Sequence, residues 1–377
     1  MGTTDIRLQS VDLSFRKEQV LQNINLEVDD GEFCVIVGPS GCGKSTLLQS
    51  IAGLAEPDRG EVYLGGTRAS TLSIQDRNLG YVFQEFEDTL FPHMTVGENV
   101  AFGIRQQKDS VDEESIQTKV DEMLEMLSIG HTKDDLPSEL SGGQQQRVEL
   151  ARQLVRECDM MLLDDPLADL DYKLQKRMEL EIRQIHDDLG STFLYVTHNQ
   201  DQALKLADKL VVVNAGQIEQ VGTPSEVYHH PKTAFVARFV GDNNVASANL
   251  VEANNSDEQI VESDFGRIPV SLANDSSPGE AGLVGVRPEK VVIGDDASDA
   301  DTQLTATLLD SMYMGDKTEI AVSIDGYDND FYVFVPGMID IDRYGDQIEI
   351  GWDVADAQFF TEISVTGTQT AEDIMKL

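Results

Sequence analysis

The stretch Gly38-Pro39-Ser40-Gly41-Cys42-Gly43-Lys44-Ser45-Thr46 decides the fold of this chain. The apolar run at residues 33–37 precedes it and predicts a buried strand, while residues 44–51 predict a helix that ends near Gly53. A strand, a glycine-rich loop and a helix in this order form the context that a phosphate-binding loop requires. The sequence therefore predicts an α/β fold with a nucleotide bound at this loop.

Each residue type in the loop suits a polyphosphate. The glycines allow the backbone to approach closely, so that successive N–H groups and the positive end of the helix face the anion. On this pattern Lys44 reaches the β- and γ-phosphates, and the hydroxyl of Ser45 binds Mg²⁺. The candidate nucleotide-binding residues are Gly38, Ser40, Gly41, Cys42, Gly43, Lys44, Ser45 and Thr46. A glycine-rich turn without a ligand is the alternative, which the flanking segments disfavour. The loop alone indicates only a nucleotide, because GTPases, kinases and motor ATPases share it.

The charge balance disfavours several partners. Across 377 residues there are 68 acidic and 28 basic side chains, a formal net charge of −40. Such a surface repels nucleic acid and anionic lipid head groups. At molar salt the Debye length falls to about 3 Å, which removes self-repulsion within the chain. The composition therefore suggests a protein adapted to high intracellular salt, with an ordinary acidic protein as the alternative.

Cysteine content and hydropathy indicate the compartment. The three cysteines, Cys34, Cys42 and Cys158, do not form a disulfide framework, so we expect reduced thiols in the cytosol. No apolar stretch approaches the length of about 18 residues that a membrane span needs. Cys42 lies at the positive end of the loop helix, which can lower a thiol pKa and raise reactivity. The favoured alternative is that Cys42 is a small spacer.

Two further residues are weaker candidates for the site. Phe15 lies in an alternating apolar segment that predicts antiparallel strands, where its ring either stacks on a base or packs in the core. Gln84 ends a short apolar segment and could place its carboxamide near a metal and an attacking water. A glutamine at the end of a strand more often faces solvent.

A second helix terminus resembles a phosphate site. Residues 90–156 show helical periodicity and predict a mostly helical insertion. Within it Ser141 is placed to cap a helix, which leaves the amides of Gly142 and Gly143 at its positive end. Two phosphate-binding termini in one chain are explained if two copies pair head to tail, each offering this turn to the other's nucleotide.

Residues 140–144, Leu-Ser-Gly-Gly-Gln, resemble the signature motif of ABC-type ATPases. This resemblance implies a dimer that encloses two ATP molecules. It implies trans contacts to ATP from the signature residues Ser141, Gly142, Gly143 and Gln144. It also implies that Gln84 senses the metal and the attacking water, and that Phe15 stacks on the adenine.

Three polar residues follow two further apolar runs. Asp164 and Asp165 end the run 160–163, and His198 follows the run 193–197. Ligands bind at strand ends in open α/β sheets, so we expect Asp164 to hold Mg²⁺ through water and Asp165 to polarise the attacking water. In the family that this chain resembles, the second acid is normally glutamate and the histidine contacts the γ-phosphate. Aspartate is one methylene shorter, so its effect on the rate stays open.

The remaining chain predicts a separate domain. After residue 240 short strands alternate with polar turns and predict small β-barrels. The segments Arg287-Pro288-Glu289 and 348–353 resemble the OB-like TOBE domain of ABC importers. We therefore expect an ABC ATPase domain at 1–240, with a helical subdomain at about 90–156, and a regulatory TOBE-like domain at 241–377.

The resemblance implies a role in solute uptake. It predicts an ATPase bound peripherally to the cytoplasmic face of a membrane permease, with a second copy as partner and an extracellular solute-binding protein acting indirectly. Residues 239–244, Phe-Val-Gly-Asp-Asn-Asn, are more similar to the polyamine, ferric-iron and thiamine group than to the sugar group. The alternatives are a maltose-type sugar importer, a non-transport ABC ATPase and a regulator that no longer hydrolyses ATP.

Overall fold

The computed structural model describes residues 4–16, 18–83, 89–105, 112–156, 158–168, 170–253, 259–367 and 369–376. These residues form two compact units, Met1–Pro224 and Ser225–Leu377. The division lies before the boundary that the sequence predicts at residue 240. The reason is that the amides of Ala234 and Phe235 donate to the carbonyls of Glu362 and Ile363, at 3.0 and 2.9 Å, within the second unit.

The first unit alternates strands and helices. Its strands are β1 (Thr4–Phe15), β2 (Glu18–Asp29), β3 (Phe33–Val37), β4 (Arg59–Leu64), β5 (Thr67–Arg68), β6 (Leu79–Val82), β7 (Met160–Asp164), β8 (Thr192–Thr197), β9 (Lys209–Asn214) and β10 (Gln217–Gly222). Its helices are α1 (Lys44–Ala52), α2 (Val96–Arg105), α3 (Glu113–Met126), α4 (Gly142–Leu154), α5 (Tyr172–Leu189) and α6 (Gln200–Leu206). Strand β3, helix α1 and the C-cap Gly53 agree with the predicted segments around the phosphate loop.

A six-stranded sheet positions the site. Its strand order is β10-β9-β3-β8-β7-β6, and all neighbours are parallel except β10 and β9. In this register Val37 pairs with Thr197, and Asp164 pairs with Val196. The carboxyl ends of β3, β7 and β8 therefore meet at one edge, where the phosphate loop, the two aspartates and His198 follow.

A smaller antiparallel sheet of order β2-β1-β4-β5 covers the other side of the first unit's core. Alternate residues of β2 are buried, among them Ile24, Leu26 and Val28. They share one apolar cluster with residues of α1 and of the six-stranded sheet. This packing holds α1, and with it the phosphate loop, between two sheets. The predicted antiparallel pair at residues 6–28 is thus present.

Helices α2, α3 and α4 occupy most of the predicted helical region at 90–156. Helix α4 carries a buried polar face in addition to its apolar one, because Gln146, Glu149 and Arg152 are all buried. Arg152 pairs with Glu149 and also donates to the carbonyl of Thr89, at 2.7 Å. The helix thereby contacts Thr89, which precedes α2 in the chain.

The second unit is rich in strands. Its strands are β11 (Asn244–Ala253), β12 (Gln259–Ser263), β13 (Gly266–Leu272), β14 (Ala281–Val286), β15 (Val292–Ile293), β16 (Thr302–Tyr313), β17 (Lys317–Ser323), β18 (Phe331–Pro336), β19 (Gln347–Trp352) and β20 (Ala357–Phe360). Its helices are α7 (Pro224–His229), which begins at the division, α8 (Ala234–Phe239) and α9 (Ala371–Met375).

These strands form a closed barrel and an open sheet. The barrel order is β11-β12-β13-β20-β14, and the five-stranded sheet has the order β15-β19-β16-β17-β18. Buried residues of both, such as Phe359 and Trp352, belong to one apolar cluster. The predicted β-rich C-terminal domain is confirmed, with one closed barrel and a companion sheet. None of the helices in the described ranges combines the length and the hydropathy that crossing a bilayer requires.

Candidate nucleotide site

A cavity of about 320 Å³ opens at the carboxyl edge of the six-stranded sheet. The predicted residues that line it are Ser40, Gly41, Gly43, Lys44, Ser45, Thr46, Asp164, Asp165 and His198. They come from three separate segments of the chain, which the parallel register of β3, β7 and β8 brings together. Val20 of β2 and Val196 of β8 also line the cavity.

The phosphate loop is folded tightly around Lys44. Its Nζ donates to the carbonyls of Gly38 and Pro39, at 2.7 and 2.9 Å. A Cβ at Gly38 would lie 2.1 Å from the carbonyl oxygen of Val213, so a side chain does not fit there. Gly43 has φ +102°, a conformation that only glycine adopts readily, at the N-cap of α1. The shape of the loop therefore depends on Gly38 and Gly43. The side chain of Lys44 extends from the start of α1 across the loop.

Ser45 and Asp164 form the second part of the site. The Ser45 hydroxyl donates to Oδ1 of Asp164 at 2.9 Å, and Tyr81 donates to its Oδ2 at 3.4 Å. Burial raises the pKa of the Asp164 carboxyl above its usual value, while these two hydrogen bonds act in the opposite direction. A hydroxyl and a carboxylate are hard oxygen donors of the kind that Mg²⁺ prefers, so the pair fits this metal.

Asp165 is held in an unusual backbone conformation. Its φ is +47°, a left-handed value that costs most residues energy but that aspartate tolerates better than most. The amide of Asp165 donates to the carbonyl of Val196 at 2.9 Å, and Thr197 donates to Oδ1 at 3.4 Å. Nδ1 of His198 lies 2.5 Å from Oδ2. This conformation directs a buried carboxylate into the cavity, with a 60% exposed imidazole beside it.

Cys42 behaves as the spacer that the sequence favours. Only 5% of the residue is exposed, and burial raises the pKa of its thiol. Lys44, the nearest cation, acts in the opposite direction without reversing the shift. Desolvation of the thiolate therefore acts against the reactivity that the helix terminus would confer, which favours the spacer interpretation.

Other predicted residues lie away from this cavity. Phe15 is at the end of β1, is 49% exposed and does not line it. The signature residues Ser141–Gln144 do not line it either; Ser141 is the N-cap of α4, and its amide and hydroxyl donate to Oε1 of Gln144, at 2.9 and 3.0 Å. Gln84 lies outside the described residues. No sequence motif marks Val20, which lines the cavity from strand β2.

A larger cavity, of about 820 Å³, lies at the amino ends of β6, β7 and β8. Aspartates dominate its charged lining, namely Asp5, Asp30, Asp76 and Asp159, against the single cation Arg77. Such a lining repels a polyphosphate. The charge of the lining therefore favours the smaller cavity, which contains Lys44, as the candidate phosphate site.

Comparison with known proteins agrees with this geometry. Residues 21–168 match the family model described as ABC transporter, and residues 284–360 match the TOBE domain. The spermidine/putrescine import ATP-binding protein PotA of Thermobifida fusca is 41% identical over 358 residues, covering 92% of this chain and 91% of that protein. The maltose/maltodextrin import ATP-binding protein MalK of Photobacterium profundum is 36% identical, covering 92% and 93%.

A solved structure shows a similar fold over more than half of this chain. The dimeric ATP-binding cassette MJ0796, in a post-hydrolysis state bound to ADP and Pi, is 31% identical with a TM-score of 0.53. It covers 58% of this chain and 98% of that protein. The phosphate loop, the signature segment and the C-terminal TOBE domain therefore occur together in one chain. This chain belongs to the family of ATP-hydrolysing subunits of ABC importers that carry a C-terminal TOBE domain.

Proposed function

We propose that this chain hydrolyses ATP in a two-copy assembly on the cytoplasmic face of a membrane permease and thereby powers the uptake of spermidine or putrescine. The observation that carries the proposal is the convergence of Lys44, the Ser45–Asp164 pair and the Asp165–His198 pair on one cavity. These are the groups that phosphate binding, metal binding and activation of water require, at the sheet edge where ligands bind.

Each group has a specific role in this proposal. Lys44 exchanges its two carbonyl acceptors for the β- and γ-phosphate oxygens, and the loop amides of Ser40–Thr46 bind the remaining oxygens. Ser45 and Asp164 would hold Mg²⁺, which when bound neutralises charge on the phosphates. Asp165 accepts a proton from the attacking water, and His198, being largely exposed, turns to the γ-phosphate. Gln84 and Phe15 retain their proposed contacts to the attacking water and the adenine.

The signature segment supports the two-copy assembly. Gly142 and Ser141 are exposed at the N-terminus of a 13-residue helix, outside the cavity that holds Lys44. We propose that Ser141, Gly142, Gly143 and Gln144 contact ATP held by the other copy, as a helix N-terminus favours an anion. The dimeric state of the solved cassette MJ0796 supports this arrangement. An extracellular solute-binding protein is an indirect partner.

The substrate is proposed from similarity. PotA proteins named for spermidine/putrescine import are 39–42% identical to this chain, whereas the maltose/maltodextrin protein MalK of Photobacterium profundum is 36% identical. This difference agrees with the segment at 239–244 and makes sugar uptake the second candidate.

Uptake in cells that lack this gene tests the proposal. We expect labelled spermidine and putrescine uptake to be lost, to be restored by the wild-type chain and not to be restored by Lys44→Ala, because the alanine variant cannot hold the γ-phosphate. Labelled maltose uptake serves as the parallel measurement. Loss of maltose uptake alone would replace polyamines by the sugar candidate, and normal uptake of all three solutes would contradict the proposed transport role.

We also propose that the chain is adapted to high salt. With a net charge of −40, repulsion among carboxylates destabilises the compact state at low ionic strength. We expect Tm to rise by roughly 10 °C or more between 0.1 and 3 M KCl, as the Debye length falls from about 10 Å to below 3 Å. Calorimetry in sucrose is the control, because sucrose favours burial without screening charge. A Tm that responds equally to both solutes would contradict the adaptation.

A further inference from the structure

Gln146, which no motif assigns to the site, contacts the turn that carries Asp165. Its side chain is buried, and Nε2 donates to the carbonyl of Pro166 at 2.7 Å. The acceptor fixes the orientation of the amide, because a carbonyl cannot donate and the NH₂ group must face it. The signature helix α4 is thereby bonded to the residue that immediately follows the proposed base.

This bond satisfies a carbonyl within the turn that follows Asp165. Residues 165–168 form a turn in which the amide of Ala168 donates to the carbonyl of Asp165 at 3.3 Å. Pro166 is buried, and a buried carbonyl needs a donor. Gln146 supplies that donor from a different element of the fold. The left-handed conformation of Asp165, next to Pro166, is therefore supported from β8 on one side and from α4 on the other.

A glutamine at position 146 leaves one buried polar atom of its side chain without a hydrogen bond among the described residues, which lowers stability. Oε1 of Gln146 is buried and accepts no hydrogen bond from the described residues. An apolar residue of the same size would avoid that unsatisfied acceptor. Helix stability alone therefore gives no reason for a glutamine here, whereas the contact to Pro166 does.

We propose that Gln146 is a positioning residue for hydrolysis, which sets the Asp165 carboxylate relative to the signature helix. The N-terminus of α4 carries Ser141–Gln144, so any shift of the helix on closure of the two copies is transmitted to the turn that holds the base. This inference rests on the proposed hydrolysis of ATP at Asp165. In this proposal the signature segment has two effects. It contacts the nucleotide that the other copy holds, and through Gln146 it sets the position of Asp165 in its own copy.

The chain contains a matched control. Gln145 on the same helix also donates from Nε2 to a proline carbonyl at 2.7 Å, but its acceptor is Pro137, which does not lie in the Asp165 turn. Methionine preserves the length of either side chain and removes the donor. Gln146→Met and Gln145→Met therefore lose equivalent bonds with different consequences for the base.

The experiment measures kcat and KM for ATP in the full-length chain at molar KCl. We expect Gln146→Met to lower kcat roughly 10- to 100-fold, the scale that a misplacement of about 1 Å produces, with KM changed less than about twofold. Gln145→Met should keep kcat within about twofold. The stoichiometry of a bound non-hydrolysable ATP analogue should stay the same in both variants, which separates misplacement from loss of folded protein.

A double variant tests whether Gln146 acts through Asp165. In the Asp165→Asn background, Gln146→Met should cause no further loss of kcat, because the group that it positions is already inactive. Equal kcat in the two methionine variants, or a full additional loss in the Asp165→Asn background, would overturn the positioning role while leaving the proposed function intact. Absence of hydrolysis in the wild-type chain would overturn both.

Discussion

Asp165→Asn is expected to lower kcat for ATP hydrolysis by about 10²–10⁴-fold, the contribution typical of a general base, while ATP binding is retained. Asparagine has the same shape and tolerates the left-handed φ of +47°, so the turn should keep its conformation. Its carboxamide cannot accept the proton from water. The variant should therefore bind ATP, remain in the two-copy state and turn over very slowly.

Two measurements check this expectation. Steady-state phosphate release at molar KCl gives kcat, and sedimentation with ATP shows whether the two-copy state accumulates. Asp159→Asn is a suitable control, because Asp159 precedes the same strand β7 at its opposite end and accepts a hydrogen bond from Asn78 that asparagine can also accept. Near-normal turnover of Asp165→Asn would refute the assignment of Asp165 as the base.

The second large effect is expected on stability, when the buried ion pair on α4 loses one of its partners. Glu149 is fully buried, and it is paired with Arg152, whose side chain is 10% exposed. Arg152→Met would leave the carboxylate with its hydrogen bonds from Thr89 and Gln153 but without a cation. Removing one partner of a buried pair costs about 3–5 kcal/mol, so Tm should fall by roughly 6–20 °C.

Thermal unfolding at 3 M KCl checks this effect, since salt screens a buried pair much less than an exposed one. Lys205→Met, which removes an exposed partner of Asp201, should change the free energy of unfolding by less than about 1 kcal/mol. The double variant Glu149→Gln with Arg152→Met should be more stable than Arg152→Met alone, because the unpaired charge is gone. Equal Tm values for Arg152→Met and Lys205→Met would show that the pair does not stabilise α4.

The convergence of Lys44, Ser45 and Asp164 was predictable from the sequence. The phosphate loop and the apolar runs before it and before Asp164 have short-range patterns, and parallel strands place their carboxyl ends at one edge. The mutual contacts of the side chains were not predictable, because they depend on register and backbone conformation. The left-handed φ of Asp165 is an example, since nothing in its neighbours along the chain requires it.

The hydrogen bond from Gln146 to Pro166 was not predictable from the sequence either, because it joins residues of two different elements of the fold. The sequence shows Gln146 only as a polar residue in a predicted helix. Its hydrogen-bond acceptor is defined by the packing of this helix against the end of β7. The entry of Val20 into the cavity likewise follows from the way that β2 packs beside Gly43, where a Cβ would lie 2.9 Å from the carbonyl oxygen of Val20. Phe15 lies at the end of its strand, as predicted. Its ring is exposed, and the stacking of this ring on adenine stays a proposal.

The barrel of the second unit is closed by a strand that comes late in the chain. Strand β20 pairs with both β13 and β14, yet the whole five-stranded sheet, β15 to β19, lies between β14 and β20 in sequence. During synthesis the first four barrel strands therefore leave the ribosome with an open seam, and the seam closes only after the companion sheet has been made. Long-range pairing of this kind slows folding, because the loop must close before the contacts form. The unpaired edges of β13 and β14 are exposed during that interval. We expect the high density of carboxylates in the second unit to keep nascent copies apart until the last strand is made.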